Sequence, residues 1–406
     1  MKSEQQYIEL YQEAASIIKA KSCPVMNAVR NEAFSTFQCL GFPSKKVERY
    51  KYTDVDAAFA PNYGISLSPL TVKPSSYIFN IKDAPIDVTP YYHRVADVTD
   101  AITALNTALV HETLLVYVPK NTVVEDPVVV DNYLRGTAAT MMNRRVLIVM
   151  EQGAKATIVM NDKATDKQQY LTTQVVEVYC HDNATLDLYE IEETTPLCAR
   201  FSNVYIREGR DCSVKHNVFT LFNGLTRNLC DVYLQGEHGE VTLNGCAIGS
   251  GSRHIDNNTL IHHQVPQCVS RECYKYVVDD KSVGAFAGKI LVDKDAQKTS
   301  SHETNANLCA SSDARMYTQP MLEIYADDVK CAHGSTVGVM DEAALFYMRQ
   351  RGIPEDEARA LLKNAFMGEV VDQVKNEALR QKLYVKVEKR FRGDFEKCED
   401  CQLCKK

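Results

Sequence analysis

Two groups of candidate metal ligands stand out in the chain. The first lies in Val329-Lys330-Cys331-Ala332-His333-Gly334-Ser335. Side chains alternate faces along an extended strand, so Cys331 and His333 share one face, roughly 7 Å apart. A thiolate and an imidazole so placed can lean toward one metal ion, and Gly334 can let the backbone bulge or admit a close approach. The same spacing also describes two side chains filling an interior, with His333 satisfied by a neighbouring carbonyl. The second group is Cys398, Cys401 and Cys404, a C-x₂-C-x₂-C run beside Lys405 and Lys406. Thiolates at that spacing can converge on a soft metal or one edge of an iron–sulfur cluster. No fourth ligand stands nearby, and three thiolates at a chain end equally describe an adventitious site.

Other chemistries are poorly supported. Gly284-Ala285-Phe286-Ala287-Gly288-Lys289-Ile290 is one residue short of a phosphate-binding loop between its glycines, and Ile290 replaces the Ser/Thr that would hold Mg²⁺. A tight strand connection accounts for it better. His302-Glu303 has no second histidine at the spacing of a zinc protease, and neither a nucleophile elbow nor a dinucleotide fingerprint occurs. The adjacent acids Asp279-Asp280 and Asp327-Asp328 would point to opposite faces of a strand, so neither is a catalytic dyad, and Asp279-Asp280 reads as turn chemistry.

The whole chain narrows the choice further. It has 406 residues, too many for one compact core, with 45% hydrophobic and 24% charged residues. Its formal charge of 46 minus 53, or −7, argues against a protein that coats nucleic acid or anionic lipid. Apolar runs such as Val146–Met150 fall far short of a membrane span, and Met1–Gln6 carries no apolar signal region. A cytoplasmic setting is expected, where fourteen cysteines would stay mostly reduced.

Three regions must position these groups. In residues 1–110, Ser3 and Gln6 suggest a capping box ahead of a helical stripe of Tyr7, Tyr11, Ala14 and Ile18. Met26, Val29, Ala33, Phe37 and Leu40 suggest a second helix ended by Gly41 and Pro43, and a third is expected over 98–109. Residues 111–338 change to period-two segments, many entered through a tight turn that closes on a small residue at 154, 184, 212, 239 and 314. The first three gaps are 30, 28 and 27, which suits a solenoid of coils of about 28 residues, roughly eight in this span. A β-sandwich also alternates but explains the spacing less well. In residues 339–406 helices return, over 341–351, from Pro354 onward, and over 371–389. The middle one carries Ala358, Leu361, Leu362, Ala365 and Phe366 on one face.

Several stretches resemble one family. Pro320-Met321-Leu322-Glu323-Ile324-Tyr325-Ala326-Asp327-Asp328-Val329-Lys330-Cys331-Ala332-His333-Gly334-Ser335-Thr336-Val337-Gly338, continued by 341–347 and Arg351-Gly352-Ile353, is similar to the signature of the SufB/SufD family of the SUF iron–sulfur assembly machinery. Residues 293–299, 270–275, 104–108, Gly41-Phe42-Pro43 and 48–53 extend the likeness along nearly the whole chain, apart from the cysteine tail. Ala314 and Gly334 stand where the SufB branch carries a cysteine and a glutamate, which sets the chain on the SufD branch; Tyr50 stands where a tryptophan is usual.

That resemblance implies a right-handed parallel β-helix flanked by helical domains. It implies a non-enzymatic scaffold that pairs through the β-helix with a SufB-like paralogue and holds a SufC-like ABC ATPase on its C-terminal helices. The docking face is then expected around Leu345, Phe346, Leu361, Leu362 and Phe366. The family's functional histidine falls on His333, with Cys331 beside it, so iron acquisition or nascent-cluster ligation is implied at the partner interface, with no tightly bound cofactor. Two rivals stay open: a β-helical carbohydrate-active enzyme, and a SufB-like scaffold that pairs with itself as a homodimer.

Overall fold

The computed structural model describes residues 3–68, 71–164, 166 and 168–393; the tail cysteines Cys398, Cys401 and Cys404 lie outside them. From Leu114 to Val339 the chain winds as a parallel β-solenoid. Successive strands alternate between two sheets, and each strand inside the stack pairs in parallel with the strands two before and two after it. Sixteen strands make eight coils, so the solenoid reading holds and the sandwich does not. Inward residues of both sheets, among them Val146, Ile148, Ile158, Val176, Val178, Leu186, Leu188, Val232 and Leu243, merge into one continuous core. No single coil could bury that face alone.

One corner repeats through the stack. Asn121, Gly153, Asn183, Asp211, His238, Gln267 and Lys298 all take positive φ. The N–H of most of them donates to a carbonyl one coil later, as from Asn183 to Arg210 (2.8 Å) and from Gln267 to Gln297 (2.9 Å). Behind this corner sit Ala154, Ala184, Cys212, Cys268 and Thr299, all fully buried. The expected repeat is therefore real at 154, 184, 212 and 239, but it continues at 268 and 299. Ala314 belongs to the other corner, where Arg315 N donates to Ser282 O at 3.0 Å. The glycine-containing stretch 284–290 is also no connection: it runs inside the strand Val283–Val292.

The two ends of the solenoid differ. At the start, Ile78–Asn80 and Thr71–Val72 add antiparallel to the first coil and Gly64–Ser66 lies beside Thr140–Met142. Helices α1 (Glu4–Lys21), α2 (Pro24–Leu40), α3 (Val55–Phe59) and α4 (Ala101–Leu109) pack outside it. All nine residues of α4 are buried, and Asn106 Nδ2 donates to Arg144 O at 3.0 Å and Thr173 O at 3.2 Å, tying the helix to two strands. The capping box is absent: Ser3 Oγ donates instead to Asp56 Oδ1 at 2.6 Å, and Gln6 Nε2 to Phe59 O. Tertiary partners outcompete the local motif because both side chains meet α3. At the far end, Arg315–Ile324 and Lys330–Val339 each pair on one side only.

Three helices follow, α5 (Glu342–Gln350), α6 (Glu355–Val371) and α7 (Glu377–Phe391). Asp341 caps α5, its Oδ1 accepting from Ala343 N at 2.9 Å and Ala344 N at 3.0 Å. Met367, Val370, Val371, Leu383 and Val387 bury against Tyr189, Phe219, Leu221 and Ile248 on the outside of the second sheet. Ion pairs pin this joint: Lys363 with Asp279 (2.5 Å), Arg390 with Glu193 (2.9 Å), and Lys386 with Glu193. Asp279 thus serves the joint, while Asp280 beside it takes the positive φ of a turn.

Candidate functional site at the open end of the solenoid

Register places the signature residues. Cys331 pairs with Ser301 and His333 with Glu303, and on the strand before, Ser270 and Glu272 continue the same two columns. Cys331 and His333 do share the inward face, as their spacing requires, but their surroundings differ. Cys331 is half-buried and packs with Ile290, Val292, Ala296, Ala326 and Val329. Burial pushes its thiol up, partly offset by the Ser301 backbone N–H. His333 is exposed, because no further coil covers the last strand. No bulge forms at Gly334; the register runs unbroken, and a Cβ there would meet only open space.

Beneath His333 the interior turns polar. Glu303 is fully buried with neither carboxylate oxygen hydrogen-bonded, and Glu272, one coil deeper, accepts from Thr259 Oγ1 at 2.7 Å through only one oxygen. Burial raises both carboxyls, and the charge of Glu272 raises Glu303 further. Beside them Asn305 Oδ1 accepts from Thr318 Oγ1 (2.8 Å) and Ser335 Oγ (3.3 Å), and Thr318 and Ser335 bond each other at 2.7 Å. Among the described residues no three His, Cys, Asp or Glu side chains already converge as a metal centre.

A second polar layer lies deeper. Asp162 bridges Arg144 and Arg200 at 2.6 Å each, and Arg200 reaches Glu190 at 2.5 Å, which accepts from or donates to His216 Nε2 at 2.9 Å as the tautomer dictates. Against the effect of burial, Arg200 and His216 hold Glu190 well below the usual carboxylate range. Tyr274, two residues from Glu272 on the same strand, and Phe286 lie in the core with their rings 5.0 Å apart. Apart from Glu303, weighed only beside His302 as a protease motif, none of these charged residues stands out in the sequence. Their only signal is parity, since Glu272 sits two residues from both Ser270 and Tyr274 in an alternating strand.

The C-terminal face is divided. Leu345 is buried and Leu362 and Phe366 pack against the solenoid, Phe366 beneath the Lys275 ammonium at 4.7 Å. Phe346 (63% exposed), Tyr347 (59%) and Leu361 (40%) face outward.

Comparison with known proteins agrees with this architecture. The description "SUF system FeS cluster assembly, SufBD core domain" matches residues 133–366, and "SufBD protein N-terminal region" matches 1–80 and 79–130. The chain belongs to the SufB/SufD family. Within it, SufD of Escherichia coli is 30% identical over 270 residues, covering 66% of this chain and 64% of that protein. SufD of Bacillus subtilis is 27% identical over 295 residues, covering 72% and 67%, and a SufBD family protein of Synechocystis is 29% identical over 307 residues, covering 72% and 67%. The match to the E. coli protein thus spans just under two thirds of its length. SufB/SufD membership makes sense of stretches that carry no chemistry: in the 48–53 segment, Arg49 pairs with Asp231, Arg227 lies 3.8 Å over the Tyr50 ring, and Thr53 Oγ1 donates to Asp256 Oδ2 at 2.5 Å. These contacts fasten the N-terminal region to the first sheet. No helix among the described residues is long and apolar enough to cross a membrane.

Proposed function

We propose that this SufD-like chain is a non-enzymatic scaffold subunit of SUF iron–sulfur cluster assembly. The observation that carries the reading is the open end of the solenoid, two strands with unpaired edges and His333 at their rim. Exposed strand edges are templates for pairing with another chain. A SufB-like paralogue, itself a solenoid, is the partner that fits, and His333 then stands at the joint to take part in iron acquisition or hold a nascent cluster in transit. Cys331, turned into an apolar cluster, supports the strand rather than the ligand set. The outward side of α5 and α6, with Phe346, Tyr347 and Leu361, is the docking ground for a SufC-like ABC ATPase; Leu345, Leu362 and Phe366 support it from beneath. Cys398, Cys401 and Cys404 are a further candidate metal site, tested by metal content with and without the last ten residues.

The reading is tested by reconstitution with a SufB-like subunit and a SufC-like ATPase. His333→Ala should abolish cluster formation while leaving the complex assembled. Undiminished cluster yield by that variant contradicts the role given to His333. Polysaccharide turnover by the chain alone would favour a carbohydrate-active enzyme instead.

A further inference from the structure

The carboxyls behind His333 are left almost without partners by the fold, Thr259 alone donating to one oxygen of Glu272. Glu303 is 0% exposed and Glu272 2%, and three of their four carboxylate oxygens lack a hydrogen-bond partner. A buried carboxyl whose oxygens find no hydrogen-bond partner is unfavourable even when burial keeps it protonated, so a fold that keeps two in register, one coil apart, keeps them against its own stability. Salt bridges satisfy Asp162 and Glu190 elsewhere in this interior, but no Lys or Arg among the described residues pairs with Glu272 or Glu303.

Space is kept for Glu303 as well. Gly288, on the facing sheet, is the reason its carboxylate fits: a Cβ there would lie 2.3 Å from Glu303 Oε1 and 2.9 Å from its Cδ. Adjacent strands lie about 4.8 Å apart, so His333 is one strand spacing from Glu303 and two from Glu272. The column therefore runs from an exposed imidazole at the rim to two buried carboxylates, with the Asn305, Thr318 and Ser335 oxygens alongside. These are nitrogen and oxygen donors, suited to a ferrous or manganous ion, whereas the soft donor Cys331 faces apolar side chains.

We propose that Glu303, backed by Glu272 and entered past His333, is a site for a hard divalent cation, ferrous iron in the cell, at the open end of the solenoid. This rests on the reading of His333 given above and narrows it: this chain takes the metal ion, and sulfur comes from elsewhere. The ion is not enclosed in the free chain; the exposed His333 side chain, at the mouth of the column, adds the third ligand.

The test uses the full chain alone, without oxygen, with Mn(II) as a hard-ion probe whose free spin-resonance signal disappears on binding, followed by Fe(II) competition. Manganese discriminates against the thiolates of the tail. The wild-type chain should take up one Mn(II) that Fe(II) displaces. Glu303→Gln, which keeps the shape, and Gly288→Ala, which fills the space, should each weaken binding at least tenfold, and Cys331→Ala should not change it. Equal binding by wild type and Glu303→Gln, or no Mn(II) uptake by wild type, overturns the proposal. The two readings separate cleanly. Loss of cluster formation in His333→Ala with unaltered Mn(II) binding in Glu303→Gln sinks the cation site alone. The reverse pattern sinks the role of His333 in assembly alone.

Discussion

Arg145 and Glu177 meet at 2.5 Å with no solvent contact, and the Glu177 carboxylate also accepts from the backbone N–H of His93 (2.9 Å) and Arg94 (3.0 Å). Removing one partner of such a pair strands the other, so Arg145→Ala should cost about 3–5 kcal/mol in denaturant unfolding. Glu192 offers a pH-resolved test. Burial lifts it to about 7, although Arg200 lies nearby and Thr226 and Thr194 donate to it. Between pH 4.5 and about 7 the folded chain therefore holds a proton that the unfolded chain has lost, so this carboxyl's contribution to stability falls as pH rises through that window. Glu192→Gln should match wild type near pH 4 and exceed it by about 1–3 kcal/mol at pH 7. Unfolding curves from pH 4 to 8 check this, and a pH-independent difference contradicts it. At this scale the sequence was least informative: Cys331 and His333 were legible from spacing, but Glu272 and Glu303 lie among ordinary strand residues, and only three-dimensional register reveals that no cation answers them.

At the scale of elements, local chemistry was legible wherever one residue decides the conformation. Gly41 ends α2 with φ 60°, and Asp341 caps α5. Arg30 escaped notice because it interrupts an apolar stripe; its guanidinium donates to Ala108 O at 2.6 Å and Val110 O at 2.8 Å, satisfying carbonyls at the end of α4. The corners at 267 and 298 were missed because glutamine and lysine carry no turn signature, yet both take positive φ within the stack. In α6 the sequence predicts an apolar face over Ala358, Leu361, Leu362, Ala365 and Phe366, whereas the buried side also takes Met367, Val370 and Val371 and leaves Leu361 outside. That division gives opposite predictions for two kinds of variant. Met367→Ala, beside Cys246 with the sulfurs 3.8 Å apart, should cost about 2–4 kcal/mol by cavity formation. Phe346→Ala and Leu361→Ala should change stability by less than about 0.5 kcal/mol but prevent capture of a SufC-like ATPase in a pull-down. ATPase capture unaffected by both changes would move the docking ground elsewhere.

Across the whole molecule, asymmetry between the ends of the solenoid organises the account. The first coil is covered by strands and helices from the N-terminal region, and the last coil ends in two unpaired edges carrying Val337 (51% exposed) and Val339 (77%). Eight coils could be anticipated from spacing because each must stack on the next to bury its interior. Which end stays open could not, since it depends on how residues 64–80 return to pair with strands beginning at 114, 128 and 140. ATP-driven movement of an ATPase seated on α5 and α6 would reach that end through the helical joint held by Lys363, Lys386 and Arg390. The central claim is that the open end pairs with a SufB-like solenoid, and light scattering on mixtures with such a partner tests it most directly. Wild type should give a one-to-one heterodimer, and Val337→Lys with Val339→Lys should weaken it at least tenfold while the variant stays folded. A heterodimer of undiminished affinity in that double variant would contradict the account.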